Sequence, residues 1–411
     1  MSSSEIVAST PIPALRESTA IALIGAVQFV NILDFMMVMP MGPDLAQALD
    51  IETSRIGLIG GSYTAAAALA GIAGSFFLDR FDRRKALVFA LVGLALGTFA
   101  GALAFDLNSL LAARVLAGAF GGPATAVGVA IIADVVPPER RGSAMGKVMG
   151  AFALASILGV PVGLELARHF GFRMPFLAVG SVTVLAAGAA YVVLPPLTKH
   201  LMNAANRVVP SAPFDAATWM AISSSALVMM GNFALIPNFS AYLQFNLGYP
   251  RAGLSTLYMV GGAAAFFAMR GTGTLVDRFG SARLVVAGTA LYVLVALGFF
   301  YSPILTLAPA VGFAGFMVAN SVRMVPLQSL ASRVPALDHR ARFLSTQSAV
   351  QHMASSFGAM AASSFLTETA DHRLVGLERI ALVSVSLAAI VPLLTFAVER
   401  SVRAREAAQR T

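Results

Sequence analysis

Cysteine is absent from the 411-residue sequence, which excludes disulfides and thiolate metal sites. Charge is scarce as well. Asp, Glu, Lys and Arg make up 12% of the residues, about half of the roughly 25% usual in soluble domains. With 57% hydrophobic residues, a chain of this size has too little charge to cover a water-soluble surface, and it reads as an integral membrane protein. The net charge of +8 comes from basic residues scattered through short hydrophilic breaks. No basic stripe interleaved with aromatics occurs, so the fitting partner is the lipid bilayer and its headgroups rather than nucleic acid. No P-loop, nucleophile triad or metal-ligand cluster is present, and the five histidines are dispersed. An ATP-driven pump and a membrane hydrolase are therefore not expected, nor is any enzyme activity, metal or cofactor.

What the chain has instead is long apolar runs. A membrane helix needs about 20 mostly apolar residues. Windows that meet this fall near 19–41, 56–78, 86–105, 108–133, 145–167 and 174–194, then near 218–242, 254–276, 283–302, 305–332, 344–366 and 377–398. The expected fold is all-α, with twelve transmembrane helices in two six-helix bundles, 1–194 and 217–411. The longest polar break, 195–216, is the expected cytoplasmic linker between them. On the side of the membrane that holds the termini, the breaks carry 19 Lys and Arg, against 6 on the other side. The positive-inside rule then places both termini in the cytoplasm of a protein of the inner membrane.

Charge crowds into one break, 79–85, where Asp79, Arg80, Asp82, Arg83, Arg84 and Lys85 lie between two apolar spans. A looser copy with Asp277, Arg278 and Arg283 follows, its aspartate 198 residues after Asp79. Both breaks fall on the cytoplasmic side, after the second and eighth spans. The breaks after the fourth and tenth also match, Val136-Pro-Pro-Glu-Arg-Arg-Gly142 against Val334-Pro-Ala-Leu-Asp-His-Arg-Ala-Arg342. Two parallel six-helix repeats are an architecture of secondary transporters.

These residues resemble the major facilitator superfamily over essentially the whole chain. The stretch 75–87 is similar to its signature between the second and third helices, with Ser75 and Asp82 standing where the family has glycine. Leu110-x-x-x-Arg114-x-x-Ala117-Gly118 resembles the fourth-helix motif. Gly159-Val-Pro161-Val-Gly163 resembles the fifth helix of the arabinose-efflux-permease-like and drug:proton antiporter branch. The resemblance implies that the charged break is a conformational latch, formed by Asp79, Arg80, Arg83 and Arg84 and echoed by Asp277 and Arg278. Its aspartate would meet a helix terminus of the opposite half when the cytoplasmic side is closed. Asp82, in place of glycine, is expected to cap the third helix.

An ionisable residue inside the membrane is a functional candidate by default. Asp34 is the acid placed clearly within a span, and it shares a helix face with Gln28 and Asn31 at i, i+3, i+6. The alternative reading is a hydrogen-bonded packing residue. Arg114 is its natural partner, since both lie roughly 9 Å below the outer boundary at 1.5 Å per residue. Arginine keeps its charge, whereas a carboxylate loses its own on taking a proton. The pair is thus the candidate for proton coupling. Arg323, with Asn320 on the same face, is a second intramembrane cation; it can bind an anionic group or reach helix-end carbonyls and the interface. Asn232, Asn238, Tyr242, Gln347 and Gln351 complete the substrate-cavity candidates, with interhelical hydrogen bonding as their alternative role.

The expected function is proton-coupled efflux of a small organic solute by alternating access, with protons and the solute as partners and a monomer as the working unit. A proton-coupled uptake symporter is the second reading. A non-transporting receptor on the same fold is the third.

Overall fold

The computed structural model describes residues 17–137, 140–198, 201, 214–301, 308–335 and 340–408. Most of the expected linker at 195–216 lies outside them. Among the described residues twelve long helices follow one another: α1 (Glu17–Val38), α2 (Ile56–Phe77), α3 (Arg83–Ala102), α4 (Leu107–Val135), α5 (Arg141–Phe170) and α6 (Arg173–Val193), then α7 (Ala216–Asn246), α8 (Leu254–Phe279), α9 (Ser281–Phe300), α10 (Pro309–Ala331), α11 (Arg340–Phe365) and α12 (Leu377–Ala408). A short helix, Gly42–Leu49, lies between α1 and α2, and a two-stranded hairpin, β1 (Thr367–Glu368) and β2 (Leu374–Val375), joins α11 to α12.

The helix ends follow from local chemistry. Asp82, Asp106 and Asp215 cap α3, α4 and α7, accepting hydrogen bonds from the backbone N–H groups of Arg84, Ser109 and Thr218. Each satisfies an N–H that helix geometry leaves free. Gly280 separates α8 from α9 at φ +83, and a Cβ there would fall 2.9 Å from a Glu399 carboxylate oxygen, so backbone and space both select glycine. Within α5 the helix widens to a π turn at Ala155–Gly159, just ahead of Pro161. The proline ring has no N–H and crowds the carbonyl four residues back, which favours the wider turn. Pro237 likewise falls in a tightened 3-10 turn, Ile236–Asn238, inside α7.

Eleven of the described helices are long and apolar enough to cross a membrane. The twelfth span, α11, is long enough at 26 residues but rich in Ser and Gln. Its polar groups are used between helices: Gln347 donates to Ser225 of α7, and Ser356 to the Gly61 carbonyl of α2. Polar side chains satisfied in this way are compatible with a membrane interior.

The halves are joined unevenly. At the end of the bundle away from the termini, one apolar core runs through both halves, from Val38, Met41 and Leu45 to Leu235, Phe239 and Leu243. At the terminal end the cores separate: one is confined to the first half, around Leu87, Ile131 and Val148, and another to the second, around Leu330, Phe343 and Val398. Small residues permit the close approach. A Cβ on Gly57 of α2 would lie 2.4 Å from Ser363 Oγ and 2.5 Å from the Ala359 carbonyl oxygen of α11. A Cβ on Gly262 of α8 would lie 3.1 Å from the Ser156 carbonyl oxygen in the π turn of α5. Toward the termini the same helices part, and a Cβ on Gly142, Gly146, Gly271 or Gly273 would meet nothing within 4 Å.

Candidate functional site

Asp34 is 0% exposed in the middle of the first half. Its Oδ2 accepts from Arg114 Nη2 at 2.6 Å, and its Oδ1 faces Arg114 Nη1 at 3.4 Å and accepts from Thr98 Oγ1 at 2.7 Å. The equal depth read from the sequence is thus realised as a two-pronged ion pair between α1 and α4. Arg114, 1% exposed, lies over the Tyr63 ring with its guanidinium carbon 4.8 Å from the centroid. Charge, hydroxyl and ring face together offset the cost of desolvating both ions.

The other two residues on that face of α1 tie it to α4. Asn31 Nδ2 donates to the Gly121 carbonyl at 2.8 Å and to Thr125 Oγ1 at 2.5 Å, and Asn31 Oδ1 accepts from Tyr63 Oη at 3.0 Å. Gln28 Nε2 reaches the Thr125 carbonyl at 3.4 Å. The fifth-helix motif closes the other flank, where a Cβ on Gly159 would lie 2.7 Å from Leu33, next to Asp34, and Gly163 faces Met37.

The second half holds a related cluster. Arg323 Nη2 donates to Asn232 Oδ1 at 2.6 Å and to Asn320 Oδ1 at 2.9 Å, and the guanidinium sits 3.9 Å from the Tyr292 ring centroid. Tyr292 in turn bonds Ser384, which donates to the Gly231 carbonyl. Asn232 and Phe233 follow Asp34 and Phe35 by 198 residues, the spacing that separates the two charged breaks. The two phenylalanines stack across the halves with centroids 5.8 Å apart, and Phe35 also lies 5.2 Å from Tyr63. An aromatic row therefore links the surroundings of Arg114 to those of Arg323.

The remaining cavity candidates are dispersed. Tyr242 Oη donates to the Phe299 carbonyl, and Asn238 Nδ2 reaches back to the Ala234 carbonyl of its own helix while its Oδ1 has no partner. Gln351 Nε2 is buried without a partner. In the charged break, Arg83 pairs with Asp134 at 3.3 Å, Arg84 reaches the Leu194 carbonyl and the Tyr191 ring, and Arg80 is exposed. These contacts stay within the first half. The Asp79 side chain lies outside the described residues. Asp277 and Arg278 are exposed at the end of α8.

Sequence reasoning did not reach Tyr63 or Thr98, which carry no charge and sit on other helices. It also did not reach a set of bridges at the far end. Arg251 donates to both Asp44 carboxylate oxygens, at 2.8 and 2.7 Å, and to the Leu164 carbonyl at 3.0 Å. Ser255 bonds Glu165, and Glu368 of β1 accepts from the Thr53 N–H at 2.5 Å. Each of these joins one half to the other. The Asn232 cluster had a usable signal in its 198-residue spacing from Asp34; the bridges had none.

The Major Facilitator Superfamily profile matches residues 24–363. The chain belongs to this superfamily. It has the multi-pass, twelve-helix membrane fold of that superfamily. Inner membrane transport protein YdhP of Escherichia coli is 29% identical over 158 residues, 38% of this chain and 41% of that protein. The chloramphenicol resistance protein of Streptomyces lividans is 24% identical over 289 residues, 69% of this chain and 71% of that protein. The match thus spans about two fifths of YdhP and over two thirds of the resistance protein. A bacterial homologue of the lysosomal transporter Spinster, solved in an inward-facing and unoccupied conformation, superposes with a TM-score of 0.73 at 15% identity, over 95% of this chain and 98% of that one.

Proposed function

We propose that the protein is a proton-coupled efflux transporter for a small organic solute. The Asp34–Arg114 pair carries the reading. It is the fully buried ion pair of the described structure, and it lies beside Phe35, which stacks on the opposite half. Protonation of Asp34 removes one side of the pair and leaves Arg114 over Tyr63 without its counter-charge. Proton occupancy then favours a different packing of α1 against α4, and the aromatic row passes that preference to α7. Coupling requires this kind of differential stabilisation of two global states.

Both termini are taken to be cytoplasmic, from the 19-to-6 distribution of basic residues. The shared far-end core then closes the outer side, and the separated terminal end opens inward. The efflux direction draws on the name of the chloramphenicol resistance relative. Latch, bundles and linker serve the rocking motion in a monomer.

The test is transport of chloramphenicol, and of a panel of cationic, neutral and anionic solutes, into proteoliposomes under an imposed pH gradient. Asp34→Asn should abolish proton-driven transport, while Asp34→Glu should retain part of it. Full proton-coupled transport by the asparagine variant would overturn the assignment.

A further inference from the structure

We infer that Arg323 is the recognition point for a monocarboxylate group on the transported solute. The inference rests on the transport reading in taking a bound carboxylate to be cargo. The two halves differ in the charge of the residue that meets the buried arginine. Where α1 supplies the Asp34 carboxylate, α7 supplies the Asn232 amide, 198 residues on, and each holds a buried arginine at 2.6 Å. The arginine in the second half therefore keeps its whole positive charge. Among the described residues its side-chain partners are the neutral Asn232, Asn320 and Tyr292, and its Nε is buried with no hydrogen-bond partner.

Such a group is costly where it lies. Arg323 is 1% exposed and sits mid-way along α10, and a charge in a membrane interior is usually paired. Two amide oxygens and a ring face solvate a guanidinium without neutralising it. A ligand that brings one negative charge supplies what the fold withholds. Nη2 donates to both amides, so a carboxylate takes two parallel N–H bonds, from the free Nε and from Nη2, by displacing one amide oxygen. One charge fits better than two, because a dianion would replace an excess of +1 by an excess of −1 in the same low dielectric. The position also suits cargo. Asn320 is half-buried, and Asn232 precedes Phe233, whose ring meets Phe35 where the two halves join. A bound carboxylate at Arg323 thus lies one residue from the contact that couples the halves.

The experiment is thermal unfolding of the purified full chain with benzoate, cinnamate and decanoate, each beside its carboxamide. The monocarboxylates should raise the melting temperature in a concentration-dependent way, and the amides should not. Arg323→Gln should keep its own melting temperature within a few degrees while weakening carboxylate binding about tenfold to a hundredfold, the worth of a charge-assisted bond. Should the glutamine variant not fold, Arg323→Lys replaces it, retaining charge but not the fork, with binding weakened less. Carboxylates no better than amides, or a Gln or Lys variant that responds as the native protein does, would overturn the inference. The assay needs no proton gradient. Failure of proton-driven efflux in liposomes and failure of carboxylate recognition are therefore separate outcomes.

Discussion

Asn232 in the second half occupies the place that Asp34 holds in the first, and each accepts a hydrogen bond of 2.6 Å from a buried arginine. One half thus carries a closed ion pair and the other an open one. Asn232→Asp closes the second pair. The variant should fold with unchanged or higher melting temperature, because the new carboxylate neutralises Arg323. It should also lose at least tenfold in affinity for the monocarboxylates, which is read from the same unfolding titration.

Arg114→Gln leaves the Asp34 carboxylate buried with Thr98 as its remaining partner. Removing one member of a buried pair costs about 3–5 kcal/mol, so a large fall in thermal stability is expected. The double variant Asp34→Asn with Arg114→Gln should recover most of that loss, since no charge is stranded. Proton-driven transport in proteoliposomes should be absent from both, which separates stability from coupling.

Gly57→Val tests the far-end closure. The valine Cβ would overlap the Ala359 carbonyl oxygen and Ser363 Oγ, and neither α2 nor α11 can give way without shifting as a whole. The two halves should therefore separate at that end. Because the chain has no cysteine, a single Ser255→Cys reports this without background. A membrane-impermeant maleimide should label it several-fold faster in the Gly57→Val background than in the native one.

The Asp44–Arg251 bridge acts at the same end. It is about one-fifth exposed on both sides, so the coupling energy in a double-mutant cycle of Asp44→Asn and Arg251→Gln should be about 1 kcal/mol, the upper range for partly exposed pairs. The cycle is measured on the Ser255→Cys labelling rate, and both single variants should raise it.

The spans were legible because hydrocarbon demands apolar length, and that demand is written residue by residue. The start of α3 at Asp82 was legible because capping chemistry is local. The Asp34–Arg114 pair was legible because counting turns places two charges at one depth. Tyr63 and Thr98 were not, since a neutral side chain on a third helix leaves no trace in spacing. The Asp44–Arg251 bridge joins residues 207 positions apart, and only the docking of the two halves brings them together. Apolar length placed α11 among the spans but did not show that its Gln347 and Ser356 side chains fasten it to α7 and α2.

Among the described residues, two almost fully buried arginines, Arg114 and Arg323, and one fully buried aspartate, Asp34, leave a surplus of one positive charge inside the bundle. That surplus would make the inward–outward balance answer to voltage. Carrying one charge fully across a field of 100 mV is worth about 2.3 kcal/mol. If rocking of the halves moves Arg323 through even a third of that field, the inward–outward balance shifts by roughly 0.8 kcal/mol, about fourfold. An anionic cargo that neutralises Arg323 would make the loaded carrier much less sensitive to the potential than the empty one.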